Sequence, residues 1–304
     1  MIVNELYNGS GLGNQLWRYV VTRVIALNNG YEFGIMNLER FKASNIMNLD
    51  FGNKVVGGSG PEGGPPTTLP EGIERYYQEK SLIHPVYNCD CRLYDENLAN
   101  IPDNTKIDGN MESEKYLEGR KREIREWLKI KENRQIHDLS RDDVCILAFR
   151  GGEYAGVPDL FLSFSYWQSA IQVMLSRNIN MNFAVVTDDP RTASHFFPKF
   201  PVYHFDTETD WVLVRSAKNI IMSNSSFAWL ATWINKDVIN VLAPKYWSKH
   251  NVSDGFWAQG DSLTRGWEYL DRDGALFSYE ECKLEKDQYQ KDNSELYKIY
   301  GGGK

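Results

Sequence analysis

The second half of the chain alternates strand-like runs with amphipathic segments, and that grammar leaves few folds open. "VCILAF" (144–149), "NFAVVT" (182–187), "PVYHF" (201–205), "NIIMS" (219–223) and "VINVLAP" (238–244) read as strands. Between them lie "SYWQSAIQVMLSR", "PRTASHFF", "DWVLVRSA" and "SFAWLATWI", which carry helical periodicity. Strands that are apolar throughout are buried on both faces, which is the habit of parallel sheets. Alternating with helices, they predict a doubly wound α/β domain. Ligands bind such a sheet at the C-terminal ends of its strands.

The first half follows the same logic more loosely. "MIVNEL" reads as a strand, "NGSGLGNQ" (8–15) as a glycine loop, and a helix is expected over Asn14–Asn28. Leu16, Tyr19, Val20, Arg23, Val24 and Leu27 mark one face of that helix, and Asn29-Gly30 its C-cap. The stretch from 52 to 72, "GNKVVGGSGPEGGPPTTLPEG", is a loop, either a flap beside a binding site or a dispensable insertion. "SEKYLEGRKREIREWLKI" (113–130) predicts one charged helix, and the polar "KENRQIHDLSRDD" (131–143) a boundary. The expected organisation is a domain at 1–138, a second at 139–270, and a helical tail at 271–304 ending in a loose "GGGK".

Composition removes several function classes. A length of 304 residues suits two domains, and a net charge of -7 gives no electrostatic footprint for nucleic acid. No run of 18 apolar residues and no leader pattern occurs, so a soluble, cytoplasmic protein of bacterial or viral type is expected. Cys89, Cys91, Cys145 and Cys282 lack zinc-site spacing and read as free thiols. The sequons at Asn8, Asn224 and Asn251 read as chance matches. "DRD" (271–273) imitates a metal-binding D-x-D, but no apolar strand is expected before it, so no metal is assigned there.

The glycine loop fails as a dinucleotide fingerprint. Gly9 and Gly11 fit its first two positions, but the third falls on Asn14; starting from Gly11 and Gly13, it falls on Leu16. The loop is left as an anion site at a helix N-terminus or as a tight turn. Three polar strand ends stand out in the second half. "FRGGEY" places Arg150 where it needs either an arriving anion or a carboxylate such as Glu153. In "TDDP", Asp189 caps the helix that Pro190 opens, and Asp188 is free for a metal, a base or a ribose. "SNSSF" (223–227) offers a diphosphate cradle or a plain N-cap at Ser225 or Ser226.

These segments together resemble the α-1,2-fucosyltransferases, inverting enzymes that use GDP-fucose. The likeness runs through "GLGNQLWRY", "DGNMESEKYLEGRKREIREWL", "FRGGEY", "VVTDDP" and the block from "DWVLVRSAKNIIMSNSSFAWLATWINKD" to "VLAPKYW". It implies a GT-B-type α/β fold, two Rossmann-like domains facing each other across a cleft, with no cofactor and no metal. It implies two partners, a nucleotide-sugar donor and a galactose-terminated glycan acceptor. Donor binding would fall to Gly11, Gly13, Asn14 and Gln15, to Arg150, Asp188 and Asp189, and to Asn224, Ser225, Ser226 and Phe227. Asp159 is the leading candidate for general base, with Glu153 and Asp210 as alternatives. Where the family carries H-x-R-R-x-D, this chain has Ala148, Arg150, Gly151 and Glu153 at the four named positions. The phosphate arginine is kept and the base-side histidine is lost, so another donor or a non-catalytic binding role stays open. Aromatics mixed with polar groups at "RYYQEK" (75–80), "HPVYN" (84–88) and "RLYDEN" (92–97) suit either sugar stacking or packing.

Overall fold

The computed structural model describes residues 1–61, 63–84, 88, 90–131, 139–252, 255–256 and 260–300. The chain divides into two compact units: one is Met1–Leu82, Arg92–Lys131 and Glu295–Lys304, the other Ile83–Cys91 and Glu132–Ser294. Cys89, residues 85–87 of "HPVYN", most of the expected boundary at 131–143 and the final "GGGK" lie outside the described residues. Among the described residues no helix is long and apolar enough to cross a membrane.

In the first unit β1 (Ile2–Glu5) leads through the glycine loop into α1 (Leu12–Asn29) and β2 (Phe33–Met36). A hairpin of β3 (Gly57–Ser59) and β4 (Thr68–Pro70) precedes β5 (Arg75–Gln78). A short ladder of β6 (Leu82–Ile83) and β7 (Asp90–Cys91) follows in the chain, its residues from Ile83 to Cys91 counted with the second unit. Then come α2 (Glu96–Ala99), β8 (Thr105–Asp108) and α3 (Lys121–Trp127) of the first unit. The sheet order is β2-β1-β8-β5, parallel throughout. Helix α1 ends at Gly30, whose φ of 71° lets its N–H reach back to Ala26 and Leu27, a geometry that costs a Cβ-bearing residue more. Its buried surface is wider than the expected face: Gln15, Trp17, Arg18 and Thr22 are buried too, while Leu27 is 47% exposed. The single helix expected at 113–130 is two pieces, a 3₁₀ turn at Glu114–Leu117 and α3, because Gly119 turns left-handed (φ 75°) between them.

The second unit follows the predicted grammar closely. Its elements are β9 (Val144–Phe149), α4 (Phe164–Arg177), β10 (Asn182–Thr187), α5 (Pro190–Phe196), β11 (Val202–Tyr203), α6 (Thr207–Ser216), β12 (Asn219–Met222), α7 (Ser226–Ile234) and β13 (Asn240–Pro244). The sheet continues with β14 (Glu268–Leu270) and antiparallel β15 (Leu276–Ser278), and α8 (Tyr279–Asp292) follows. The strand order is β11-β10-β9-β12-β13-β14-β15. All six residues of β9 are buried, and Phe149 meets Phe161, Trp167, Phe196 and Phe197 at ring separations of 5.5–5.7 Å. Such aromatic pairs contribute roughly 0.5–1.5 kcal/mol each beyond the area they bury. Cys145 and Cys282 are free and buried, and burial pushes the Cys282 thiol up to about 12.

The expected tail is part of this unit as far as Ser294. Helix α8 starts with a capping box between Ser278 and Glu281, and Glu285 pairs with buried Lys245 at 2.7 Å. A strand, β14, does precede "DRD", contrary to the sequence expectation. Asp271 Oδ1 accepts the backbone N–H of Asp273 and Ala275, so the motif is the turn of the β14–β15 hairpin.

Candidate functional site

The chain winds outward from β9 in both directions, to β10 and β11 on one side and to β12 and β13 on the other. The topological switch point therefore lies between the C-terminal ends of β9 and β12. Arg150 follows β9 and Ser223-Asn224-Ser225 follows β12, so two of the three polar strand ends flank the switch point.

Arg150 is one-third exposed and has two carboxylate partners, Asp188 and Glu153, the latter at 3.0 Å. Its guanidinium also stands 5.1 Å from the Tyr154 ring. Asp188 accepts the Gly151 N–H at 2.9 Å and Asp189 the Gly152 N–H at 3.2 Å. Asp189 caps α5 as expected, accepting the N–H of Thr192. The Thr192 hydroxyl, followed by that N–H, holds its carboxyl below the usual range. Both aspartates thus fasten the loop that follows β9. A Cβ at Gly151 would sit 2.6 Å from Asp189 Cβ, which explains why neither an arginine nor any larger side chain occurs there.

The β12–α7 turn differs from its neighbours. Helices α4, α5, α6 and α8 all have a side-chain cap, from Ser163, Asp189, Asp206 and Ser278. Helix α7 has none: the side chain of Ser225, the N-cap residue, makes no capping hydrogen bond. The N-cap residue therefore contributes no side-chain acceptor at the positive end of the helix dipole. Ala228 and Phe227 lie in that first turn, where Phe227 packs edge-on to Trp211 at 5.2 Å. Ser226 is its first residue. Asn224 is 2% exposed and donates to the carbonyls of Leu160 and Trp247. Its Oδ1 has no partner among the described residues. Buried and fully engaged on its donor side, Asn224 is no glycosylation site.

Asn224 also anchors the turn that carries Asp159. Asn251 does the same, donating to Pro158 and Phe161 at 2.7 and 2.6 Å, which accounts for the third sequon structurally. Asp159 pairs with Lys249 at 3.0 Å and is 44% exposed. Glu153 is 77% exposed.

A residue that the sequence reading missed lies one strand further on. His204 follows β11, its Nδ1 2.8 Å from the Thr187 carbonyl and 3.5 Å from Asp210. A carbonyl only accepts, so in neutral His204 the proton sits on Nδ1 and Nε2 is an acceptor. Histidine after an edge strand was the available signal. Burial pushes the Asp210 carboxyl up to about 6, opposed by the Phe205 N–H and His204. The folded state then binds a proton that an unfolded aspartate, at 3.8, has released. Its contribution to stability is therefore full below pH about 4 and is lost as pH rises to about 6. Urea unfolding between pH 4 and 7 should show Asp210→Asn gaining on the wild-type protein as pH rises; a constant difference would contradict the assignment.

In the first unit, Gly9 turns left-handed (φ 73°), and Gly11 is the uncapped N-cap residue of α1, with Gly13 and Asn14 in its first turn. Gln15 is 1% exposed, and its amide is engaged at both ends, by the Arg40 carbonyl and the Lys42 N–H. Its buried side chain clamps a turn. The "RYYQ" tyrosines are likewise engaged, Tyr76 with Asp108 and Tyr77 with Asp95. No family model matches the chain, and no curated protein matches it in sequence.

Proposed function

We propose that the protein is an inverting glycosyltransferase of the GT-B type that moves L-fucose from GDP-fucose to O2 of a terminal galactose. The observation that carries this reading is the N-terminus of α7 at the sheet's switch point, where Ser225 gives no side-chain cap and the buried Asn224 Oδ1 has no partner among the described residues. Helix amides aimed at a strand-end crevice are a diphosphate cradle. The resemblance of the β9, β10 and β12 strand ends to the fucosyltransferases supplies the donor's identity. No metal or cofactor enters the proposed reaction.

Each group then has a role. The α7 amides and Arg150 take the charge that develops on departing GDP, with exposed Glu153 as the partner that Arg150 exchanges for phosphate. Guanine offers N1–H and N2–H donors, and Asp188, Asp210 and His204 Nε2 are acceptors on that side of the sheet. His204 fills the part that Ala148, buried within β9, cannot. Asp159, held by its fastened turn, removes the proton from the acceptor hydroxyl as the bond from that oxygen to fucose C1 forms and the bond from C1 to GDP breaks.

One observation favours a second reading, a nucleotide- or sugar-binding protein without turnover. The Gly151 and Gly152 amides and Arg150 already hold carboxylates, so an incoming phosphate must compete for them. A transfer assay separates the two. With GDP-fucose and lactose, GDP should appear in equal amount to an α-linked fucosyl product, whose anomeric proton NMR can identify. GDP-fucose left intact with lactose and every other galactoside tried would overturn the transferase reading.

A further inference from the structure

The donor chemistry leaves the Gly/Pro segment at 52–72 without a role, yet it walls a cavity in the first unit. β3 and β4 pair Gly57 with Pro70 and Ser59 with Thr68. Between this hairpin and the C-terminal edge of the sheet lies a cavity of about 180 Å³. Glu5 lines it from the end of β1, Asn37 from just beyond β2, Lys106 from within β8, and Pro61 and Pro66 from the hairpin and its connection. Gly60 is required there, because a Cβ would stand 2.6 Å from Pro66 Cα.

Lys106 is the informative residue. It is 4% exposed, and its ammonium has one hydrogen-bond partner among the described residues, Glu5 Oε1 at 3.1 Å. An ammonium has three N–H donors, and leaving a buried donor unmatched costs free energy. Two donors, the remaining lone pairs of Glu5 and Asn37 Oδ1 are therefore left for whatever enters. Arg40 also lines the cavity, but it pairs with Glu39 at 3.6 Å and donates to the Leu6 carbonyl at 3.3 Å. The Lys106 and Glu5 charges cancel, which favours a neutral ligand over an anion. Drug-sized pockets run to roughly 300–1,000 Å³, and this one is smaller, suited to one ring.

We propose that this cavity binds one neutral pyranose through vicinal hydroxyls, one accepting from Lys106 and its neighbour donating to Glu5, with the prolines against the ring C–H face. The inference deepens the transferase reading and rests on it for the identity of the sugar, the terminal galactose of the acceptor. The 52–72 segment is then the wall of a sugar site and not a dispensable insertion.

The test is saturation-transfer NMR on the full chain with methyl β-D-galactoside, methyl α-D-glucoside and methyl α-D-mannoside, with GDP binding followed on the same samples. Saturable galactoside binding is expected, weakened at least tenfold in Lys106→Met. Pro61→Ala, which removes a ring-face contact, should weaken it too without touching the ion pair, and that variant decides the matter where Lys106→Met does not fold. No saturable binding of any of the three sugars overturns the inference, as does unchanged affinity in a folded variant. If GDP still binds in that case, the donor side of the transferase reading stands while the pocket falls. Glucoside or mannoside binding without galactoside binding keeps the pocket and removes galactose.

Discussion

Arg150→Ala should lower fucose transfer by about a hundred- to a thousandfold and leave the melting temperature nearly unchanged. Removing one preorganised donor to developing charge costs roughly 10²–10³ in rate, and a charged fork facing a diphosphate belongs at the upper end. Stability is another matter, because Arg150 and Asp188 are each about one-third exposed and Glu153 is mostly exposed. Ion pairs in such positions contribute about 0–1 kcal/mol. Asp188 keeps its hydrogen bond from the Gly151 amide when the guanidinium is gone. Arg150→Lys should fall between, keeping the charge and losing the fork. Comparing kcat/KM with thermal unfolding for both variants separates the site role from a structural one. Turnover near the wild-type level in Arg150→Ala would remove this residue from the mechanism.

Asp108→Ala should have the largest effect on stability, a loss of about 3–5 kcal/mol. Asp108 lies at the end of β8 with its side chain 3% exposed, and it accepts from Tyr7 and Tyr76 and pairs with Arg18 at 3.4 Å. Arg18 is itself buried, stacked 4.0 Å over the Tyr7 ring and bonded to Asn110 at 3.1 Å. Taking away the carboxylate strands a buried cation and two hydroxyls, whereas apolar replacement of both partners is often tolerated. Arg18→Met with Asp108→Leu should therefore recover part of the loss. Urea unfolding of the single and double variants measures both, and a loss below about 1 kcal/mol for Asp108→Ala would show that the pair is solvated, as exposed pairs are.

The second unit was legible because each of its strand and helix runs is continuous and punctuated. α7 was predicted residue for residue from "SFAWLATWI", and the Asp189 cap from the Asp-Pro step. The first unit was less so. Gly119 breaks a segment whose charge pattern is helical on both sides, and a left-handed glycine inside such a run looks like any other glycine. The composition of 52–72 reads as a loop, and its hairpin rests on close approaches such as Gly60 to Pro66 that depend on three dimensions. Sequence placed Arg150, Asp188, Asp189 and Asn224 at strand ends, where the structure has them. It did not show that the two aspartates close onto Gly151 and Gly152, or that Gln15 is consumed by the 40–42 turn. Such pairings join residues tens of positions apart, and strand periodicity carries no trace of them. His204 was missed because strand periodicity marks it only as the end of a short edge strand.

The central claim is that the second sheet holds a guanosine diphosphate sugar at its switch point. Calorimetric titration of the purified protein with GDP, GDP-fucose, GDP-mannose, UDP-galactose and NAD, with EDTA present, tests it most directly. GDP and GDP-fucose should bind selectively, and Asn224→Ala should weaken both. GDP binding no tighter than UDP-galactose or NAD would contradict the account, and the likeness to fucosyltransferases would then describe a shared scaffold and not a shared donor.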